Sequence, residues 1–143
     1  MFEFVVKYCK FLKGVPGLAL VFDAWLKLWA FITQPSVLDW MDQIEAEVLT
    51  GDATSATTHK YGGLQLNYRH TEMGHIHSNG LFDALLSRKL KEQLMKCDSQ
   101  VQHHHTFKNT GWISFYMQTE QDREFVLRVL KGIHKHHADK GIL

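Results

Sequence analysis

The chemistry this sequence offers lies in its ten histidines and in where they fall along 143 residues. His75-Ile76-His77 sets two imidazoles two residues apart. On a strand, residues i and i+2 face the same side, so both rings would point into one space. A second group, His103-His104-His105, precedes a loop and the segment that starts at Gly111. Glu72, Asp83, Arg88 and Trp112 stand near these two groups along the chain. Imidazole titrates near neutrality, so it can move protons there, and it also suits zinc, copper and iron. Two chemistries are therefore open. One is proton transfer with no cofactor. The other is a metal ion held by His75, His77 and His104 or His105. A third reading has no chemistry in it: these rings are buried and hydrogen-bonded, or solvated on a loop, and the chain is a non-catalytic ligand-binding or interaction module. Trp112, with Gly111 leaving room beside it, offers either a stacking platform for a flat ligand or an ordinary core tryptophan. His134, His136 and His137 follow the last apolar turn of the final helix, where cations simply suit a helix C-terminus.

Several function classes are excluded. The chain has no phosphate loop, nucleophile elbow, HExxH helix or dinucleotide fingerprint. Its net charge of +1 lacks the basic excess of a nucleic-acid binder. The charge is unevenly placed: four Lys stand against seven Asp/Glu in residues 1–58, and twelve Lys/Arg against eight Asp/Glu in residues 59–143. All ten histidines lie in that second part, so an anionic small molecule would be drawn there. Cys9 and Cys97 form no CxxC pair, which points to reduced thiols and a cytoplasmic, soluble protein.

The elements that must position these residues are legible in the hydrophobic period. Phe2–Lys13 has helical spacing and Gly14-Val15-Pro16-Gly17 breaks it. A strongly apolar helix is expected from about Leu18 to Ile32, ended by Gln34-Pro35. It carries Asp23 and Lys27 and is short for a bilayer span. Phe22, Trp25, Trp29 and Phe31 at helical spacing read as core aromatics. The helix as a whole reads as packed on the domain, on a second copy in a homodimer, or on a membrane surface through residues 18–32. Ser36 is expected to cap a third helix that carries Val37, Leu38, Met41, Ile44 and Val48 on one face. From Ala53 the period changes to two, giving strands near Thr57–Tyr61, Leu64–Tyr68 and Glu72–His77. Ser87–Cys97 is helical, with Leu86, Leu90 and Leu94 on one side. Gly111–Gln118 is a strand, and Thr119 with Asp122 caps a last helix that buries Phe125, Val126, Val129, Leu130 and Ile133. The predicted class is α+β: a small, mainly antiparallel sheet packed with helices and preceded by N-terminal apolar helices. Residues 1–35 would be a helical extension and residues 36–143 the α+β domain, in one compact unit.

The same residues form an ordered series. His59-Lys60-Tyr61-Gly62-Gly63 comes first, then Glu72-Met73-Gly74-His75-Ile76-His77, Gly80, Asp83, Arg88-Lys89, His104-His105 and Gly111-Trp112-Ile113-Ser114-Phe115. This series resembles the luciferase-like domain of fungal luciferase and its bacterial relatives, over about residues 37–135. A proline common before the Gly-Trp strand in that pattern is replaced here, near Lys108. The resemblance implies an enzyme that adds molecular oxygen to a hydroxylated, flat, acidic molecule without a bound cofactor. By the same resemblance His75, His77 and His104 would be the base and the oxyanion-stabilising groups. Arg88 would hold an acidic group, and Glu72, Asp83, His105 and Trp112 would line the ligand site.

Overall fold

A computed structural model describes residues 17–140. The predicted first helix, Phe2–Lys13, and Cys9 lie outside the described residues. Within them the order is α1 (Leu18–Thr33), α2 (Ser36–Val48), β1 (Thr54–Thr58), β2 (Leu64–Tyr68), β3 (Thr71–Ile76), β4 (Leu81–Leu85), α3 (Arg88–Cys97), β5 (Gln102–His103), β6 (Trp112–Tyr116) and α4 (Glu120–Lys140). The six strands form one sheet in the order β1-β2-β3-β4-β6-β5, and every neighbouring pair is antiparallel. The predicted α+β class is what is found.

Strand alternation divides the sheet into an apolar and a polar face. On one face Leu66, Ile76, Phe82, Ala84, Ile113 and Phe115 are buried against α2 and α4. Those helices contribute Val37, Met41, Ile44 and Val48 from α2, and Val126, Val129, Leu130 and Ile133 from α4. Cross-strand register then fixes the opposite face. Thr57 pairs with Gln65, Gln65 with His75, His75 with Asp83, Asp83 with Ser114, and Ser114 with Gln102. A polar row thus crosses all six strands, with His75 and Asp83 at its centre. A bulge between Leu66 and Asn67 brings Glu72, rather than Met73, opposite Asn67. That returns Glu72 to the polar face, beside His75.

The last helix begins as its sequence dictates. Asp122 accepts from the backbone of Gln118 and Thr119 at 2.9 and 2.8 Å, and the Thr119 hydroxyl accepts from the Asp122 N–H at 3.3 Å. Other expectations need correction. Ser36 is already helical and Pro35 occupies the cap position with φ −58°. The proline ring presets a helical φ, and its carbonyl accepts from the Leu38 N–H at 3.0 Å, so the first turn starts one residue early. In α3 the buried residue is Lys91, whereas Leu90 is 37% exposed. Two strands escaped the period of two. β4 is buried on both faces, so LFDAL shows no alternation, and β5 is only two residues long.

The aromatic residues of α1 are a further correction. Among the described side chains of this helix, Leu26 and Ala30 are the buried hydrophobics, while Trp25, Trp29 and Phe31 are 58%, 50% and 66% exposed. A helix that is apolar nearly all round does not say which face packs. α1 leans on α2, and its Asp23 carboxylate accepts from the Ser78 hydroxyl at 3.0 Å. The opposite, exposed face is the one either expected surface, a second copy or a membrane, would cover. No helix among the described residues is long and apolar enough to cross a membrane. Replacing Trp25 and Trp29 together by Glu should leave the melting temperature nearly unchanged and reduce light scattering at high concentration. A steep fall in melting temperature would show instead that these rings belong to the core.

Candidate functional site

Three imidazoles converge on one buried carboxylate. The Asp83 side chain is 1% exposed and sits at the centre of the polar row. Its Oδ2 lies 3.4 Å from His75 Nε2, 3.8 Å from His77 Nε2 and 3.8 Å from His104 Nε2. Its Oδ1 accepts from the Ser114 hydroxyl, which the register places directly opposite. On the other side of the His75 ring, Nδ1 meets Glu72 Oε1 at 2.5 Å. His59 stacks on His75 with ring centres 3.8 Å apart and planes 7° apart. His77 stands edge-on to both, at 5.0 and 6.1 Å.

Each member is placed by a different local rule. His75 and Asp83 are register partners on β3 and β4. His77 follows the end of β3, and its N–H donates to the Leu81 carbonyl at 2.9 Å, closing the hairpin that joins the two strands. His59 opens the β1–β2 turn, with its N–H donating to the Gly63 carbonyl at 3.1 Å. His104 comes from the loop between β5 and β6. Its Nδ1 accepts from the backbone N–H groups of Thr106 and Phe107 at 3.1 and 3.2 Å. A backbone N–H can only donate, so the neutral His104 ring carries its proton on Nε2, towards Asp83.

That loop is itself pinned. The buried Lys91 ammonium donates to the carbonyls of Lys108, Thr110 and Trp112 at 2.9, 2.9 and 2.8 Å. Its desolvation pulls the lysine pKa down. At the loop's far end Gly111 packs against the backbone of Leu86, and its carbonyl accepts from the Leu86 N–H at 3.1 Å.

Burial and charge separate the titration of the rings. For His75, burial would depress the pKa, but the carboxylates of Asp83 and Glu72 on either side outweigh it and hold the pKa up. Asp83 and Glu72 are the mirror case. Burial pushes each carboxyl up, yet contact with His75, helped at Asp83 by Ser114, brings both below the usual carboxylate range. His77 and His59 are driven by burial, and by the charge on His75, down to about 4. His104 is lowered as well, first by burial. The two carboxylates thus favour the charged form of His75, while burial favours the neutral form of the rings around it.

Aromatic rings rim the cluster. Trp112 lies 5.8 Å from both His75 and His104. Phe107 stacks on His104 at 5.1 Å and Tyr61 stands edge-on to His59 at 5.5 Å, and each is 49% exposed. Lys60 Nζ sits 4.9 Å over the Tyr61 ring, so a cation stands at the same rim. His105 stacks on the outer side of His104 at 4.4 Å and is exposed.

Of the residues expected at the site, the structure therefore brings together His75, His77, His104, Glu72, Asp83 and Trp112, with His105 behind His104. Arg88 is the exposed first residue of α3 and takes no part in the contacts just described. A cleft of about 370 Å³ lies elsewhere, lined by Asp23, Lys27, Asp42, Glu45, Thr57 and Ser78 among others, and by none of the histidines. Sequence reasoning gave Lys91 no role at the site and quoted Ser114 only within a series. It quoted His59 only as part of a series. Alternation along β6 places Ser114 on the same side as Trp112. Nothing local marks Lys91 as buried.

Comparison with known proteins finds a match to a protein family. The Luciferase domain family model matches residues 70–132, the stretch that supplies all the residues expected at the site and Ser114, but not His59. No curated protein and no solved structure matches the chain.

Proposed function

We propose that this chain, whose residues 70–132 match the Luciferase domain family, is an enzyme that takes a proton from a small, flat, acidic molecule at its His75–His77–Asp83 centre. The observation that carries the reading is the convergence of three imidazoles on one buried carboxylate. Buried titratable groups whose environments push their pKa values apart are what acid–base catalysis requires. A flat ligand would lie against Trp112, Phe107 and Tyr61, with Lys60 offsetting its negative charge. The His104 Nε2–H is a donor for the oxyanion that forms as the proton leaves. Neutral His77 is the acceptor on the Asp83 side. Molecular oxygen is the co-substrate that the family relationship suggests for the resulting carbanion.

The test is carbon–hydrogen exchange. A panel of hydroxypyrones and other enolisable cyclic acids is incubated with tag-free protein in deuterated buffer containing a chelator, and exchange is followed by NMR. A panel member should exchange faster with wild type. His77→Gln should slow that exchange by about 100-fold or more, the usual contribution of a general base, with little change in melting temperature. Equal exchange by wild type and His77→Gln would sink the assignment.

A further inference from the structure

We propose that His75, His77 and Asp83 form a binding site for a divalent first-row metal ion, with the two-imidazole, one-carboxylate donor set that suits Fe(II). This rests on the reading of the cluster as the reactive centre; the ion would take up the His77 Nε2 lone pair, so His77 is the proton acceptor only in the metal-free protein.

Spacing is the first argument. Nitrogen and oxygen ligands bind such ions at about 2.0–2.2 Å, so neighbouring donors stand roughly 2.9–3.5 Å apart. Asp83 Oδ2 lies 3.4 Å from His75 Nε2, within that range and longer than a good hydrogen bond. It lies 3.8 Å from His77 Nε2, a few tenths of an ångström outside it. One donor atom from each of the three side chains falls within 4.8 Å of the others. Two imidazoles and one carboxylate on one side of an ion leave positions open for substrate or dioxygen.

The surroundings also fit an ion. Glu72 holds His75 by Nδ1 at 2.5 Å, which turns Nε2 towards Asp83, and Ser114 holds the other oxygen of Asp83. Outer partners of this kind orient metal-binding side chains. The ligands come from the β3–β4 hairpin, whose backbone bonds fix their spacing. One ligating carboxylate with Glu72 behind it balances a double positive charge in a buried place.

Two other sets are less suited. His59, Glu72 and His75 also cluster, but 2.5 Å between Glu72 and His75 is a hydrogen bond with no room for an ion. His104 has Nδ1 engaged by two backbone N–H groups, so its neutral ring offers Nε2–H and no free lone pair. It faces the cluster as a donor, not a ligand.

The experiment uses the full, tag-free chain, because a histidine tag would bind metal itself. Protein stripped with a chelator is titrated with Co(II) under nitrogen and followed by visible absorption. Fe(II) and Zn(II) are then measured by competition. One ion per chain is expected. His77→Gln and Asp83→Asn should lose stoichiometric binding, and Glu72→Gln should weaken it by about 10–100-fold. His136→Gln and His137→Gln should bind like wild type. If Asp83→Asn fails to fold by circular dichroism, His77→Gln decides, since its side chain is the most exposed of the three that face Asp83. Absence of stoichiometric binding, or equal binding by wild type and His77→Gln, overturns the proposal. Either result leaves the proton-transfer reading standing, because that exchange is measured in chelator. A metal site on a protein that exchanges no ligand proton would sink the proton-transfer reading alone.

Discussion

Gly111→Val should unfold this domain or lower its melting temperature by roughly 10 °C or more. The cause is space, not backbone conformation. A Cβ on Gly111 would lie 1.7 Å from the Leu86 carbonyl oxygen and 2.9 Å from its carbon. Both are backbone atoms, so no rotamer change relieves the overlap. Relief requires the end of β4 to separate from the start of β6, where Leu85 pairs with Trp112 and Gly111 accepts from the Leu86 N–H. Overpacking in a close-packed interior costs about 1–3 kcal/mol even where side chains can yield. A backbone clash at a buried strand junction belongs at or above the top of that range. For a domain of this size, each kcal/mol corresponds to about 4 °C. Ala carries the same Cβ, so Gly111→Ala should fall nearly as far as Val. If Gly111→Ala melts within 2 °C or so of wild type, the close approach of Gly111 to Leu86 is wrong.

Much of the site was legible because strands make simple promises. His75-Ile76-His77 predicted two rings towards one space from the period of two alone, and both Nε2 atoms do face Asp83. The capping residues of α4 and most of its buried face followed from local rules that no tertiary contact overrides. What stayed hidden depends on partners distant in sequence. β4 is central in the sheet and buried on both faces, so nothing local in Leu81–Leu85 marks Asp83, which the resemblance placed only among the lining residues, as the hub of the cluster. His59 matters because the β1–β2 turn lays its ring on His75, a contact that register and turn geometry create together. The aromatic face of α1 misled for a related reason. Composition says that such rings want burial, but only the rest of the fold says whether this chain supplies it.

Lys91 is the case in which sequence reasoning and structure differ most, and it yields the second large effect. Its place in a Leu-rich amphipathic helix reads as a solvated face, yet it is 4% exposed. Three carbonyls turn inward to receive its ammonium, which has no carboxylate partner in the contacts described. Lys91→Met keeps the stem and removes the charge. The change leaves three acceptors without their donor, at about 1–3 kcal/mol for each that stays buried. Lys108 and Thr110 are exposed residues whose carbonyls water can reach once the loop loosens. The net loss should therefore be about 2–3 kcal/mol, a fall of roughly 10 °C. The same three bonds tie down the loop that carries His104 and the start of β6 that carries Trp112. Loosening them should release the His104 Nδ1 from the Thr106 and Phe107 N–H groups. In ¹⁵N spectra of the histidine rings, Lys91→Met should then show the His104 ring exchanging between tautomers, while His75 keeps its wild-type signals. Lys91→Arg, which retains the donors, should restore the single tautomer at least in part. A Lys91→Met protein with wild-type His104 signals would mean that the lysine stabilises α3 without positioning the site.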